Sequence, residues 1–71
     1  MNNSVRKNIL CEIRLWDGEY APTKTDIMRA CRPFVPKTVF REINEMLNEG
    51  ILTLVERGGY STKGLAIVED V

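Results

Sequence analysis

Two prolines three residues apart, Pro33 and Pro36, constrain this 71-residue chain more than any other feature. Proline disfavours helical geometry in the residue before it, so a helix arriving at Arg32 must stop there. Proline also suits the first position of a helix, where its missing N–H costs nothing. The chain is therefore expected to end one helix before Pro33, turn through Phe34 and Val35, and begin another at Pro36.

The helix that Pro36 opens runs through PKTVFREINEMLNEG and is closed by Gly50. Val39, Phe40, Ile43, Met46 and Leu47 recur at helical spacing and form one apolar stripe. Lys37, Thr38, Arg41, Asn44, Glu45 and Asn48 fall on the opposite face. Phe34 and Val39 stand at the spacing of a hydrophobic staple, which fixes the angle at which the chain enters this helix. Upstream, Thr23-Lys24-Thr25-Asp26 has the form of a capping box with Asp in place of Glu, so the preceding helix is expected to begin at Lys24. Ile27, Met28, Ala30 and Cys31 are its inner face.

An earlier helix is expected over residues 4–16, with Ser4 as its N-cap, Val5, Ile9, Ile13 and Trp16 facing inward, and Asp17-Gly18 as its stop. Arg6, Lys7 and Arg14 on its outer side read as solvated charges, with proximity to a phosphate backbone as the alternative. Trp16, Tyr20 and Phe40 lie on or beside apolar stripes and are expected in the core. Tyr20 and Ala21, held extended before Pro22, are expected to pair with a later edge strand. Ile51 to Glu56 is rich in β-branched residues, and Gly58-Gly59 between strand-like flanks is a strong signal for a two-residue hairpin turn. Tyr60 to Thr62 is the returning strand. Lys63 to Val71 reads as a short final helix capped by Thr62, with a strand as the alternative.

Composition bounds the function. An apolar fraction of 44% belongs to a folded chain, and the length suits a single domain over residues 1–71. Ten basic and ten acidic residues cancel, which removes any argument for nucleic acid from bulk charge. The distribution is dipolar: residues 1–41 carry eight Lys and Arg against four Asp and Glu, and residues 42–71 carry two against six. Cys11 and Cys31 sit in helical segments and read as buried free thiols of a reducing compartment. Without His or a CxxC pair, the usual zinc ligands are missing, and no cofactor is implied. No apolar run reaches the roughly 20 residues of a membrane span, and MNNSVRKN is not a signal peptide, so a cytoplasmic location away from membranes is expected. Nor is there a nucleophile beside a base or a phosphate-cradling glycine loop, and Glu42, Glu45 and Glu49, read as exposed, make no catalytic dyad.

Helix, extended segment, helix, turn, helix and hairpin is an order that resembles the winged helix-turn-helix family found in prokaryotic, archaeal and phage transcriptional regulators. The residues carrying the resemblance are Thr23-Lys24-Thr25-Asp26-Ile27, then Thr38-Val39-Phe40-Arg41-Glu42-Ile43 with Leu47, Gly50 and Ile51. Gly59-Tyr60-Ser61-Thr62-Lys63-Gly64 is similar to that family's wing exit, one residue shorter than the commoner form. The resemblance implies a mainly α, α+β fold with a three-helix core and a β-hairpin wing over residues 52–62.

It also implies sequence-specific binding of double-stranded DNA by a homodimer, with helix 36–49 in the major groove. Arg41 would then bond guanine bidentately, Asn44 or Asn48 would pair with adenine, and Glu45 would accept from cytosine. Lys37 and Thr38, near the helix N-terminus, would hold a phosphate. Thr23 and Lys24 join them from the preceding helix, and Arg57 and Lys63 from the wing. The acidic residues of helix 36–49 are a departure from a basic DNA reader. They support an alternative, a winged helix used for protein contact.

Overall fold

The chain passes from its second to its third helix through residues 31–35, in the place that the two prolines require. The computed structural model describes residues 3–68. Three helices, α1 (Asn3–Arg14), α2 (Lys24–Ala30) and α3 (Pro36–Asn48), precede an antiparallel hairpin of β1 (Leu52–Arg57) and β2 (Tyr60–Ile67). The fold is α+β and mainly α.

Local chemistry sets the starts of α2 and α3. The Thr23 hydroxyl accepts from the Asp26 N–H at 3.1 Å and the Thr23 N–H donates to Asp26 Oδ2 at 3.0 Å, a complete capping box. Pro36 occupies the first turn of α3 behind Val35, which offers no side-chain cap. Phe34, just before that cap, packs on the core to which Val39 belongs. Cys31 caps the end of α2 rather than extending it, and its N–H donates to the Ile27 carbonyl.

Val5 and Ile9 of α1, Ile27 and Cys31 around α2, Val39, Ile43 and Met46 of α3, and Leu52 and Leu65 of the hairpin form one buried cluster. Several expectations fail at its margins. Ser4 lies within α1, which begins by Asn3, so it is not the cap; α1 also ends at Arg14, short of Trp16. Cys11 is exposed on the outer side of α1, and only Cys31 is buried. Trp16 is half-buried, its indole N–H donating to the Tyr20 carbonyl at 3.1 Å. Tyr20 and Phe40 are exposed rather than core, because three helices and one hairpin leave their flanks uncovered.

The hairpin turns on Gly58 and Gly59, both with positive φ (56° and 104°), the geometry that favours glycine at both central positions. Residues 63–67 continue strand β2 and do not form the expected final helix; residues 69–71 lie outside the described region. Tertiary pairing decides this. Leu65 stands opposite Leu54 and enters the core, and the Leu65 N–H donates to the Pro22 carbonyl at 2.7 Å. Pro22, rather than Tyr20 or Ala21, thus makes the backbone bond to β2. Between Val55 and Arg57 the register shifts, so Glu56 alone faces Ser61, Thr62 and Lys63.

Segment 20–22 fastens the hairpin to the helices. Arg57 Nε donates to the Ala21 carbonyl at 2.7 Å, and the Tyr20 ring meets the Tyr60 ring edge-on at 5.3 Å. Gly64 lies so close to Ala21 that an added Cβ would stand 2.8 Å from the Ala21 carbonyl oxygen. Backbone on both sides of that contact leaves no flexible side chain to yield. Gly64→Ala is expected to lower unfolding free energy in urea by about 1–3 kcal/mol, while Ser61→Ala, exposed in the same strand, should change it by less than about 0.5 kcal/mol.

Candidate nucleic-acid interface

The spacing that sends Val39, Ile43 and Met46 into the core turns Lys37, Arg41, Asn44 and Asn48 outward along α3. All four are exposed, and with Phe40, Glu45 and Leu47 they line an open concavity of about 800 Å³. Thr38 is half-buried at the inner edge of the first turn. Since Val35 supplies no side-chain cap, the Lys37 and Thr38 N–H groups leave the helix end unpartnered, with the positive end of the helix dipole behind them.

α2 contributes the next cation. Lys24 Nζ donates to Asn44 Oδ1 at 2.8 Å and lies 6.0 Å from the centre of the Phe40 ring. Thr23 is occupied by the capping box. Lys24, Thr25 and Phe40 face Leu54, Thr62 and Lys63 of the hairpin across a cleft of about 400 Å³.

The hairpin cations are less available than the sequence suggests. Arg57 folds back onto Ala21 and lies 5.2 Å from the centre of the Tyr60 ring, so its guanidinium serves the hairpin's attachment. Lys63 pairs with Glu56 at 3.0 Å across the register shift. Both groups of that pair are exposed, and such pairs open readily.

Sequence reasoning missed the acidic flank of α3. Arg6 is no solvated charge: its side chain is 13% exposed, and it gathers three carboxylates. Nε donates to Glu42 Oε1 at 2.8 Å, Nη1 and Nη2 each donate to Glu49 at 2.9 Å, and Nη2 reaches Glu45 at 3.5 Å. Glu42 is 2% exposed, and no other polar or charged residue is buried among those described. The expectation that Glu42 and its neighbours lie exposed fails for Glu42. A signal was present: Glu42 stands three residues after Val39 and four before Met46, the spacing of the inward stripe.

Hydrogen bonds from Arg6 hold the Glu42 and Glu49 carboxyls below the usual carboxylate range, against the opposing pull of desolvation. The hydrogen bonds that Arg6 donates to Glu49 and Glu42 in turn raise its own value, and it stays charged at any accessible pH. Burial, helped by the Glu12 charge, pushes the Cys31 thiol up to about 11 and leaves it protonated at neutral pH.

Compared with protein-family profiles, curated proteins and solved structures, the chain matches none. Among the described residues, no group of three or more His, Cys, Asp or Glu side chains is arranged to hold a metal ion. No described helix is long and apolar enough to cross a membrane.

The strip can offer cations at Lys24, Lys37 and Arg41, amides at Asn44 and Asn48, and free N–H groups at the α3 start. Glu42 and Glu49 are drawn sideways onto α1, while Glu45, 3.5 Å from Arg6, stays exposed at the edge of the concavity. Because Glu42 and Glu49 ionise more readily in the folded chain than in the unfolded one, the stability they contribute is complete above about pH 4.3 and disappears as pH falls through their lower folded values. Glu42→Gln is expected to lower stability at pH 7 by about 1–3 kcal/mol and to flatten the acid limb of a stability-versus-pH curve. An unchanged limb would remove Glu42 as its source.

Proposed function

We propose that this chain is a winged helix-turn-helix DNA-binding regulator that docks α3 in the major groove of double-stranded DNA and lays the hairpin, as a wing, along the backbone or minor groove. One observation carries the reading. The exposed strip of α3 holds residues suited to base edges, while the acids of the same helix are tied to Arg6 at its side. Arg41, 62% exposed and 3.6 Å from Glu42, has most of its donors available for guanine O6 and N7. Asn48 can pair with adenine, and Asn44, whose oxygen already accepts from Lys24, keeps its amide donors for a base acceptor.

Phosphates would be met by Lys24, Lys37, the N–H groups at the α3 start, and Lys63 on release from Glu56. A single copy thus has only about three or four phosphate contacts, a modest electrostatic contribution. Two copies on a two-fold site would double it, so the regulator is proposed to act as a homodimer.

A second reading, a winged helix that contacts protein, is favoured by one feature. Phe40 and Leu54, 38% and 47% exposed, stand on opposite sides of the cleft between α3 and the hairpin. An apolar partner segment would cover both.

Selection of bound duplexes from a random pool, followed by gel-shift titration, separates the two. The DNA reading expects one enriched palindromic motif and affinity that falls steeply with salt. Arg41→Ala should cost about 1–3 kcal/mol and relax preference at one position, whereas Lys37→Ala should weaken all duplexes alike and reduce the salt slope by about one. If no duplex binds at about 50 mM salt, where phosphate contacts are strongest, while the protein co-purifies with a partner, the DNA reading is abandoned.

A further inference from the structure

We infer that Arg6 acts as a positioning residue for DNA binding: by claiming Glu42, Glu45 and Glu49, it keeps the Arg41 guanidinium and the neighbouring strip of α3 open to nucleic acid. The inference rests on the DNA-binding reading above. It starts from the charge inventory of one helix. α3 and its cap carry two cations, Lys37 and Arg41, against three acids, so without outside help its own acids outnumber its cations.

Two of those acids are natural partners for Arg41. Glu45 lies four residues on, at the spacing of intrahelical ion pairs, and Glu42 Oε2 already stands 3.6 Å from Arg41 Nη2. Arg6 lies 2.8 Å from Glu42 against 3.6 Å for Arg41, and among the described residues Glu45 is paired with Arg6 alone. Its Nε engages the other oxygen of Glu42, its Nη2 reaches Glu45, and its two terminal nitrogens grip Glu49 bidentately. Glu45 and Glu49 also share a shallow depression with Arg6 and Asn48, so the acid flank borders the strip directly. Removing Arg6 would leave Glu45 and Glu49 unpaired beside the strip and Glu42 with Arg41 as its remaining cation, so that the acids would repel the duplex and draw Arg41 away from it.

The guanidinium reaches α3 from α1, across 36 residues of sequence to Glu42 and 43 to Glu49. It makes no hydrogen bond or ion pair with Lys37, Arg41, Asn44 or Asn48. Its effect on DNA would pass wholly through the acids, and this makes the role separable from a merely structural one.

The test uses the full chain with Arg6→Gln combined with Glu42→Gln. That pair removes one charge of each sign, leaves net charge unchanged and leaves no buried carboxylate unpaired. Affinity for the selected duplex, measured well below the melting temperature, is expected to fall by about three- to tenfold at low salt, with the loss fading as salt rises. Adding Glu45→Gln and Glu49→Gln should restore binding in this background. The same two substitutions in the wild-type chain should change affinity by a smaller factor, a non-additivity that altered folding stability alone would not produce. Arg6→Lys, which keeps the charge and gives up the bidentate fork, should fall between wild type and the double variant. If the folded double variant binds as wild type does, or if the Glu45 and Glu49 substitutions give equal increments in both backgrounds, the inference fails and the DNA reading stands. Absence of duplex binding by the wild-type chain would overturn both.

Discussion

A carboxylate buried at 2% exposure has to find a cation, and in this chain that requirement joins the first helix to the third. Glu42 sits inside the apolar stripe of α3, and Arg6 is placed to meet it because Val5 and Ile9, on either side of it in α1, are already in the core with Ile43 and Met46. Rolling α3 about its axis would break this pair, and rolling it inward would strand the Glu42 charge among apolar side chains. The ion pair therefore helps to decide which side of α3 faces inward, and hence that Lys37, Arg41, Asn44 and Asn48 face out. A hydrophobic residue in place of Glu42 could pack as well, but it would not make that choice.

The hairpin is set by a second, smaller constraint. Segment 20–22 is too short to be a strand, yet it accepts one backbone bond at Pro22 and one guanidinium bond at Ala21. The bare backbone of Gly64 lets β2 come close enough to make the Pro22 bond. With both ends of that contact fixed, the cleft between the hairpin and α3 has a defined width. Lys24, Phe40, Leu54 and Lys63 line it as a consequence.

What the sequence revealed and what it concealed follow from the range of each interaction. The start of α2, the start of α3 and the hairpin turn were legible because each is decided within four residues: the Thr23–Asp26 box, Pro36 and the Gly58-Gly59 pair. The end of the chain was not. Leu65 and Ile67 suit helix and strand alike, and the choice falls to pairing with β1 and Pro22. Arg6 was misread for the same reason, since its partners are 36 to 43 residues away. Arg57 looked like a free cation at a turn, and only the path of segment 20–22 shows that its Nε is engaged. Phe40 belongs to the apolar stripe by spacing but lies on a flank that this small fold leaves uncovered.

The proposed reading treats the outer face of α3 as the surface that recognises DNA, with the acids of that helix drawn aside by α1. Both proposals depend on where the duplex sits, and an amide-shift titration by two-dimensional NMR at low salt, using the selected duplex, measures that directly. The expected result is a set of perturbed amides at Lys24, Thr25, Lys37, Thr38, Arg41, Asn44 and Asn48 and along the hairpin, with the outer face of α1 at Lys7, Cys11 and Arg14 unaffected. Perturbations centred on that α1 face, or none anywhere on adding duplex, would contradict the account.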